Sequence, residues 1–194
     1  MDKILYFDCF SGASGDMVLG ALIDLGVPIE RLRAALAPLV PADCELTADR
    51  VSRSGIGAIQ FGVREGGHGH DAGGHARHRG LQEILEMIAK AGLPERVASR
   101  ASLLFQRLGR VEADIHQQPV ERVHFHEVGA LDSIIDIVGA VWAIDALGVD
   151  RVCASPLNTG SGTVATAHGQ LPVPAPATIR LLEGAPAYSS GVQA

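Results

Sequence analysis

Two apolar periods alternate along this chain. "KILYFDCF" is a short run of β-formers and predicts a strand. The turn "SGASGD" follows, and Ser14 is placed to cap a helix from Gly15 to Leu25 that stops near Gly26. A second helix is predicted over Ile29–Leu39, between Pro28 and Pro41. Strands are expected around Glu45–Arg53 and Ala58–Glu65. A His/Gly-rich loop, residues 66–80, separates them from two helices, Leu81–Ala91 and Glu95–His116. "ERVHFHE" reads as a short extended segment. It leads into a helix from Val128 to Leu147, closed by Gly148, in which Leu131, Ile134, Ile135, Val138 and Trp142 form an i, i+3, i+4, i+7 stripe. "RVCASPL" is strand-like and "NTGSGTVATAHGQLPVP" reads as loop. A last helix covers Ala175–Glu183, and "AYSSGVQA" closes the chain without a further element. This order predicts an α/β fold, with strand–helix units at both ends around a helical middle, in a single compact domain over residues 1–194.

Composition narrows the function. The chain has 194 residues, 47% hydrophobic and 20% charged, with aromatics at only 4%, so Ala, Val, Leu and Ile must build the core. The net charge is −6 without a long basic run, which argues against nucleic acid as a partner. The three cysteines form no CxxC pair and indicate neither a disulfide framework nor a zinc ribbon. Cys9 and Cys153 lie in strand-like runs and are expected to be buried, inert thiols. The N-terminal apolar run is short and broken by Asp8, unlike a signal peptide or a membrane span. A cytoplasmic protein is expected, and a homo-oligomer is compatible with the composition.

Candidate chemistry concentrates in "VHFHEVGALDSIID", Val123–Asp136. In an extended segment His124 and His126 share a face. In the helix that follows, Asp132 and Asp136 are i and i+4 neighbours. Their repulsion costs roughly 0.2–0.5 kcal/mol unless a cation is shared. No basic residue occurs between Glu127 and Asp150. The group is either a solvated acidic face with two surface histidines, or an N/O ligand set of the kind that suits Ni, Zn, Fe or Mn. Glu127 and Asp16 are the carboxylates assigned to acid–base work.

Two further clusters add to it. His68, His70, His75 and His78 lie in the Gly-rich tract. His75 and His78 adjoin the next helix and are the better metal candidates, the alternative being a plain loop. That tract is expected to be poorly ordered without metal. The turn "FDCFSGASGDM" offers Ser11, Gly12, Ser14 and Gly15 to an anionic ligand at a helix start. It has no Walker lysine, so Asp8 and Asp16 would need a bridging metal to approach a phosphate. The alternative is an ordinary capped helix, with Asp16 on the positive end of its dipole. Asn158, Gly160, Gly162 and His168 form a second Gly-rich candidate surface for the same ligand.

Taken together, "ILYFDCFSGASGDMVLGALIDLGV", "VHFHEVGALDSIIDIVG" and "HGQLPVPAPAT" resemble, in order and spacing, the LarC family of nickel-insertion proteins of lactate racemase cofactor synthesis. The resemblance spans nearly the whole chain. It implies a nickel chelatase of the lyase class that places Ni into pyridinium-3,5-bisthiocarboxylic acid mononucleotide, giving the nickel-pincer nucleotide. CTP, with Mg or Mn, is the implied cosubstrate. In the family a "TPTGAA"-like stretch follows soon after the position of Val192, and then a C-terminal domain credited with CTP and metal binding. Residues 1–194 therefore read as the N-terminal part, with that domain as the missing partner. The residues alone leave two other readings open. One is a metal-dependent phosphohydrolase; the other is a non-catalytic metal-binding or assembly module.

Overall fold

The computed structural model describes residues 2–53, 55–65, 79–125, 129–166 and 169–191. In chain order the elements are β1 (Ile4–Phe7), α1 (Gly15–Asp24), α2 (Ile29–Leu36), β2 (Cys44–Arg53), β3 (Ile56–Glu65), β4 (Arg79–Gly80), α3 (Leu81–Lys90) and α4 (Glu95–His116). Then come β5 (His124–Phe125), α5 (Leu131–Leu147), β6 (Arg151–Ala154), β7 (Leu157–Asn158), β8 (Thr163–Thr166), β9 (Gly169–Pro172), α6 (Pro176–Leu181) and β10 (Ala187–Tyr188). The fold is mixed α/β, as expected. No helix among the described residues is long and apolar enough to cross a membrane.

The chain forms two compact units, each discontinuous in sequence. One comprises Met1–Ala13, Arg107–Val123 and Gly148–Ala194; the other comprises Ser14–Gln106 and His124–Leu147.

In the first unit β1 and β6 pair in parallel, Ile4 opposite Arg151 through Phe7 opposite Ala154. The Lys3 amide donates to Asp150 Oδ2 at 2.7 Å and fastens the start of the pair. Parallel pairing demands a long crossover, and here residues 8–150 supply it. β10 pairs in parallel with β7, so the C-terminal stretch does close on the fold, contrary to the expectation from sequence. Its two residues are too few to show any alternation. The expected loop after Asn158 also contains an antiparallel hairpin, β8 with β9. Most of its residues are exposed, so it carries no buried apolar face to betray it. Cys9 is buried as expected. Cys153 is not: all four residues of β6 are exposed, so neither face of this strand is covered among the described residues.

The second unit holds most of the core. On α5, Ile134, Ile135 and Val138 are fully buried and Trp142 nearly so, which bears out the stripe. α5 packs on α1 and α2, and α1 also packs on β3. Small residues allow this. A Cβ at Gly139 would reach the Leu19 and Leu36 methyls at 3.2 Å, and one at Gly20 would overlap the Ile59 carbonyl oxygen. β2 and β3 form a hairpin whose last pair is Arg53 with Ile56. Gly55, at φ +82°, supplies the left-handed residue that a two-residue connection requires. α2 ends at Leu36 and continues as a 3-10 turn over Ala37–Leu39; Pro38 cannot donate to an α-helical bond. The sequence tract 66–80 is strand at its end: Arg79 and Gly80 pair antiparallel with Phe125 and His124.

Candidate functional site

α1 begins where the first Gly-rich turn ends. Ser14 occupies the N-cap position with an extended backbone, but its hydroxyl makes no bond to the helix amides. It donates instead to the Asp16 carboxylate. Asp16 lies in the first turn, where the helix dipole favours a negative charge. The expected side-chain cap is therefore replaced by a Ser14–Asp16 pair that orients the acid.

Asp136, from the second turn of α5, meets this helix start. A Cβ on Gly15 would overlap the Cβ, Cγ and Oδ2 of Asp136, so the glycine is what lets the carboxylate approach. The pKa of the Asp136 carboxyl is pushed up to about 6, first by burial and then by the charges of Asp16 and Asp132. It accepts no hydrogen bond among the described residues. Asp132, exposed at the start of α5, accepts a bond from the Ser133 amide at 2.7 Å. None of the three acids forms an ion pair with a described Lys or Arg. The i, i+4 pair thus gains a third carboxylate from α1 and no compensating side-chain cation.

β5 sits in the same unit. Phe125 is buried and tilts against Phe105, ring centroids 6.4 Å apart, while its neighbour His124 is exposed. This inward–outward alternation is what the extended reading of the segment required. The other expected ligands and the expected base, His75, His78, His126, His168 and Glu127, lie outside the described residues, as do residues 66–78 of the tract expected to be poorly ordered. Among the described residues no group of three or more His, Cys, Asp or Glu is arranged to hold a metal ion.

Ser11 and Gly12 belong to the other unit, with Asn158, Gly160 and Gly162. Gly12, at φ +83°, donates to the Cys9 carbonyl at 3.0 Å, and a Cβ there would press on the Asn158 carbonyl oxygen at 3.1 Å. The Asn158 side-chain amide is fully engaged within the chain. Nδ2 donates to the Phe10 carbonyl at 2.8 Å and to Ser190 Oγ at 2.9 Å, and Oδ1 accepts from the Gly160 and Ser190 amides. Asn158 therefore ties three backbone segments together, and the groups left to meet a ligand are those of the loop it shapes. Gly160 and Gly162 both hold left-handed φ values, +71° and +102°.

Three contributors have no place in the expectations from sequence. Ser155 Oγ accepts from the Cys9 amide at 2.8 Å, and Ser190 holds Asn158. Arg79 donates to the Gly129 carbonyl at 2.9 Å. The two serines carry no local signal. Arg79 carries a weak one, as a cation just ahead of α3.

Comparison with known proteins agrees with this arrangement of motifs. The model of the nickel insertion protein family matches residues 5–194. A pyridinium-3,5-bisthiocarboxylic acid mononucleotide nickel insertion protein from Geobacillus kaustophilus is 46% identical over 193 residues, covering 97% of this chain and 46% of the relative. A protein of the same name from Desulfitobacterium hafniense is 47% identical over 191 residues, covering 98% of this chain and 46% of the relative. The chain thus spans a little under half the length of these relatives. No solved structure matches it. By the match along almost its entire length, the chain belongs to the nickel insertion protein family.

Proposed function

We propose that this chain serves as the nickel-delivering half of a chelatase that inserts nickel into pyridinium-3,5-bisthiocarboxylic acid mononucleotide. The observation that carries this reading is the match of residues 5–194 to the nickel insertion family, with Asp16 and Asp132 crowding Asp136 beside it. Their shared negative charge, without a paired Lys or Arg among the described residues, draws a cation toward this face, although the three acids alone do not form a metal cage. The metal is cargo, to be held and then surrendered.

His124, His126, Asp132 and Asp136 are the proposed ligands, with His75 and His78 as a capture tract. Nitrogen and oxygen donors select nickel over Mn or Fe(II). The thiocarboxylate sulfurs of the acceptor are softer and draw it away. Metal binding releases protons from its ligands, and Glu127 and Asp16 are placed in sequence to take them. Histidines suit a reversible hold because protonation competes with metal near neutral pH. Ser11, Gly12, Ser14, Gly15, Asn158, Gly160, Gly162 and His168 are the proposed nucleotide-binding residues. CTP, with Mg or Mn, is assigned to the remainder of the family's chain, and the cytoplasm is the proposed place of action.

The test is nickel titration of the 194-residue chain, followed by transfer to the pincer precursor. Replacing His124 and His126 together by Ala should weaken nickel binding at least tenfold, with the thermal midpoint almost unmoved. Unchanged affinity would return both histidines to a structural role. Nickel binding without transfer favours a second reading, a metal-holding module whose chemistry lies elsewhere.

A further inference from the structure

The loop after β7 runs beside the segment that follows β10. Their ladder is short: Ala187 opposes Leu157 and Tyr188 opposes Asn158. Side chains carry the pairing past its end. The Tyr188 carbonyl accepts from the Thr159 amide at 2.9 Å and from Thr159 Oγ1 at 3.2 Å. Ser189 Oγ donates to the Gly160 carbonyl at 2.6 Å and accepts from the Gly191 amide at 3.3 Å. Ser190 closes a ring with Asn158: its amide donates to Oδ1 at 3.2 Å, and its Oγ accepts from Nδ2 at 2.9 Å.

These bonds fall where the backbone alone is loosest. Gly160 and Gly162 hold left-handed φ values, and glycine has more conformational freedom to lose than any other residue. A two-residue ladder does not set the direction of their peptide groups. Ser189 reaches the Gly160 carbonyl directly. Ser190 reaches the Gly160 amide through Asn158, whose Oδ1 accepts from it at 3.3 Å. Side chains thereby fix both peptide planes that flank Gly160. Asn158 has both amide hydrogens and both acceptor positions in use, so it serves a ligand through the loop it shapes. Ser189 and Ser190 are exposed. Water competes for their bonds, which therefore add little to stability. What they add is orientation.

We propose that Ser189 and Ser190 are positioning residues for the nucleotide site: they hold the loop Asn158–Gly162 with its peptide groups aimed at the ligand. This rests on the assignment of Asn158, Gly160 and Gly162 to nucleotide binding above.

The test uses Ser189→Ala, Ser190→Ala and the double variant in the 194-residue chain. Ser189→Thr and Ser190→Thr keep the hydroxyls and serve as rescues, and Thr47→Val is the control. Thr47 Oγ1 likewise donates to a backbone carbonyl, that of Gly62 at 3.3 Å, but in the other unit. Amide hydrogen exchange over residues 158–162 is expected to rise about threefold in each Ala variant and about tenfold in the double variant. Affinity for pyridinium-3,5-bisthiocarboxylic acid mononucleotide should fall by about the same factors, with the thermal midpoint almost unmoved. The Thr variants should recover most of both losses, and Thr47→Val should leave both readouts alone. Unchanged exchange over 158–162 overturns the proposal, and so does raised exchange with nucleotide affinity intact. If the wild type binds no mononucleotide, the nucleotide reading fails and takes the positioning role with it, while exchange still decides whether the two serines hold the loop.

Discussion

The carboxylate of Asp136 lies against the α-carbon of Gly15, where no side chain would fit. A helix from late in the chain thereby presents an acid to the first turn of α1. Gly15 has an ordinary helical backbone, so its role is space and not torsional freedom.

Adding one methyl group there, Gly15→Ala, must push α1 and α5 apart or force Asp136 from its rotamer. The expected cost is about 1–3 kcal/mol, the usual penalty for overpacking. Urea denaturation measures it. A neutral substitution would mean that Asp136 is free to swing away.

Asp136 itself makes stability depend on pH. Its folded pKa of about 6 stands above the ordinary aspartate value of 3.8, so the folded state holds a proton that the unfolded state has lost. Stability from this group is therefore full at low pH and is lost as pH rises from about 4 to about 6. In metal-free protein Asp136→Asn should remove that slope and stabilise at pH 7.5, by on the order of 1 kcal/mol after discounting for a half-exposed site. Denaturation midpoints between pH 4 and pH 8 decide it. A less stable Asn variant at pH 7.5 would show that the carboxylate has an unseen favourable partner. On the proposed ligand set nickel should reverse the sign, because the variant would lose a charged ligand.

Asn158→Ala should cost about 0.5–1.5 kcal/mol, since it removes the bonds to the Phe10 carbonyl and the Gly160 and Ser190 amides at positions that water can reach. Proteolysis near residues 188–191 should quicken at the same time, because Ser190 loses its anchor. Equal cleavage rates in both proteins would place the restraint in the backbone pairing of β7 and β10.

Ile134→Ala should cost about 2–5 kcal/mol, as for other fully buried aliphatic residues. Nickel affinity measured on the folded fraction should stay within twofold. A larger loss would couple the core of α5 to the proposed ligands on its flank.

Some of this is legible in the sequence. α4 spans the predicted Glu95–His116 residue for residue, and the stripe on α5 faces the core, because long helices carry their period through many turns. The hairpin of β8 and β9 is illegible, because a mostly exposed ladder needs no apolar alternation. In the site, the i, i+4 spacing alone makes Asp132 and Asp136 neighbours. Asp16 joins them only through the packing of α1 on α5, and no local pattern encodes that. The bond from Arg79 to Gly129 is hidden for the same reason: its partner carbonyl is fifty residues away, and a single arginine beside glycines looks like loop.

The pairing of β1 with β6 also has a temporal meaning. Ile4 and Arg151 are partners, so at about 5–20 residues per second a ribosome makes the first strand roughly 7–30 s before its mate. The hairpin of β2 and β3 and the helices around it can assemble in that interval from local contacts. The run Ile4–Phe7 cannot, and it stays unpaired until Ala154 has emerged. For the length of that delay the nascent chain carries an unpaired apolar strand, the kind of segment that chaperones bind, and β1 completes its pairing only after the elements between it and β6 have been made.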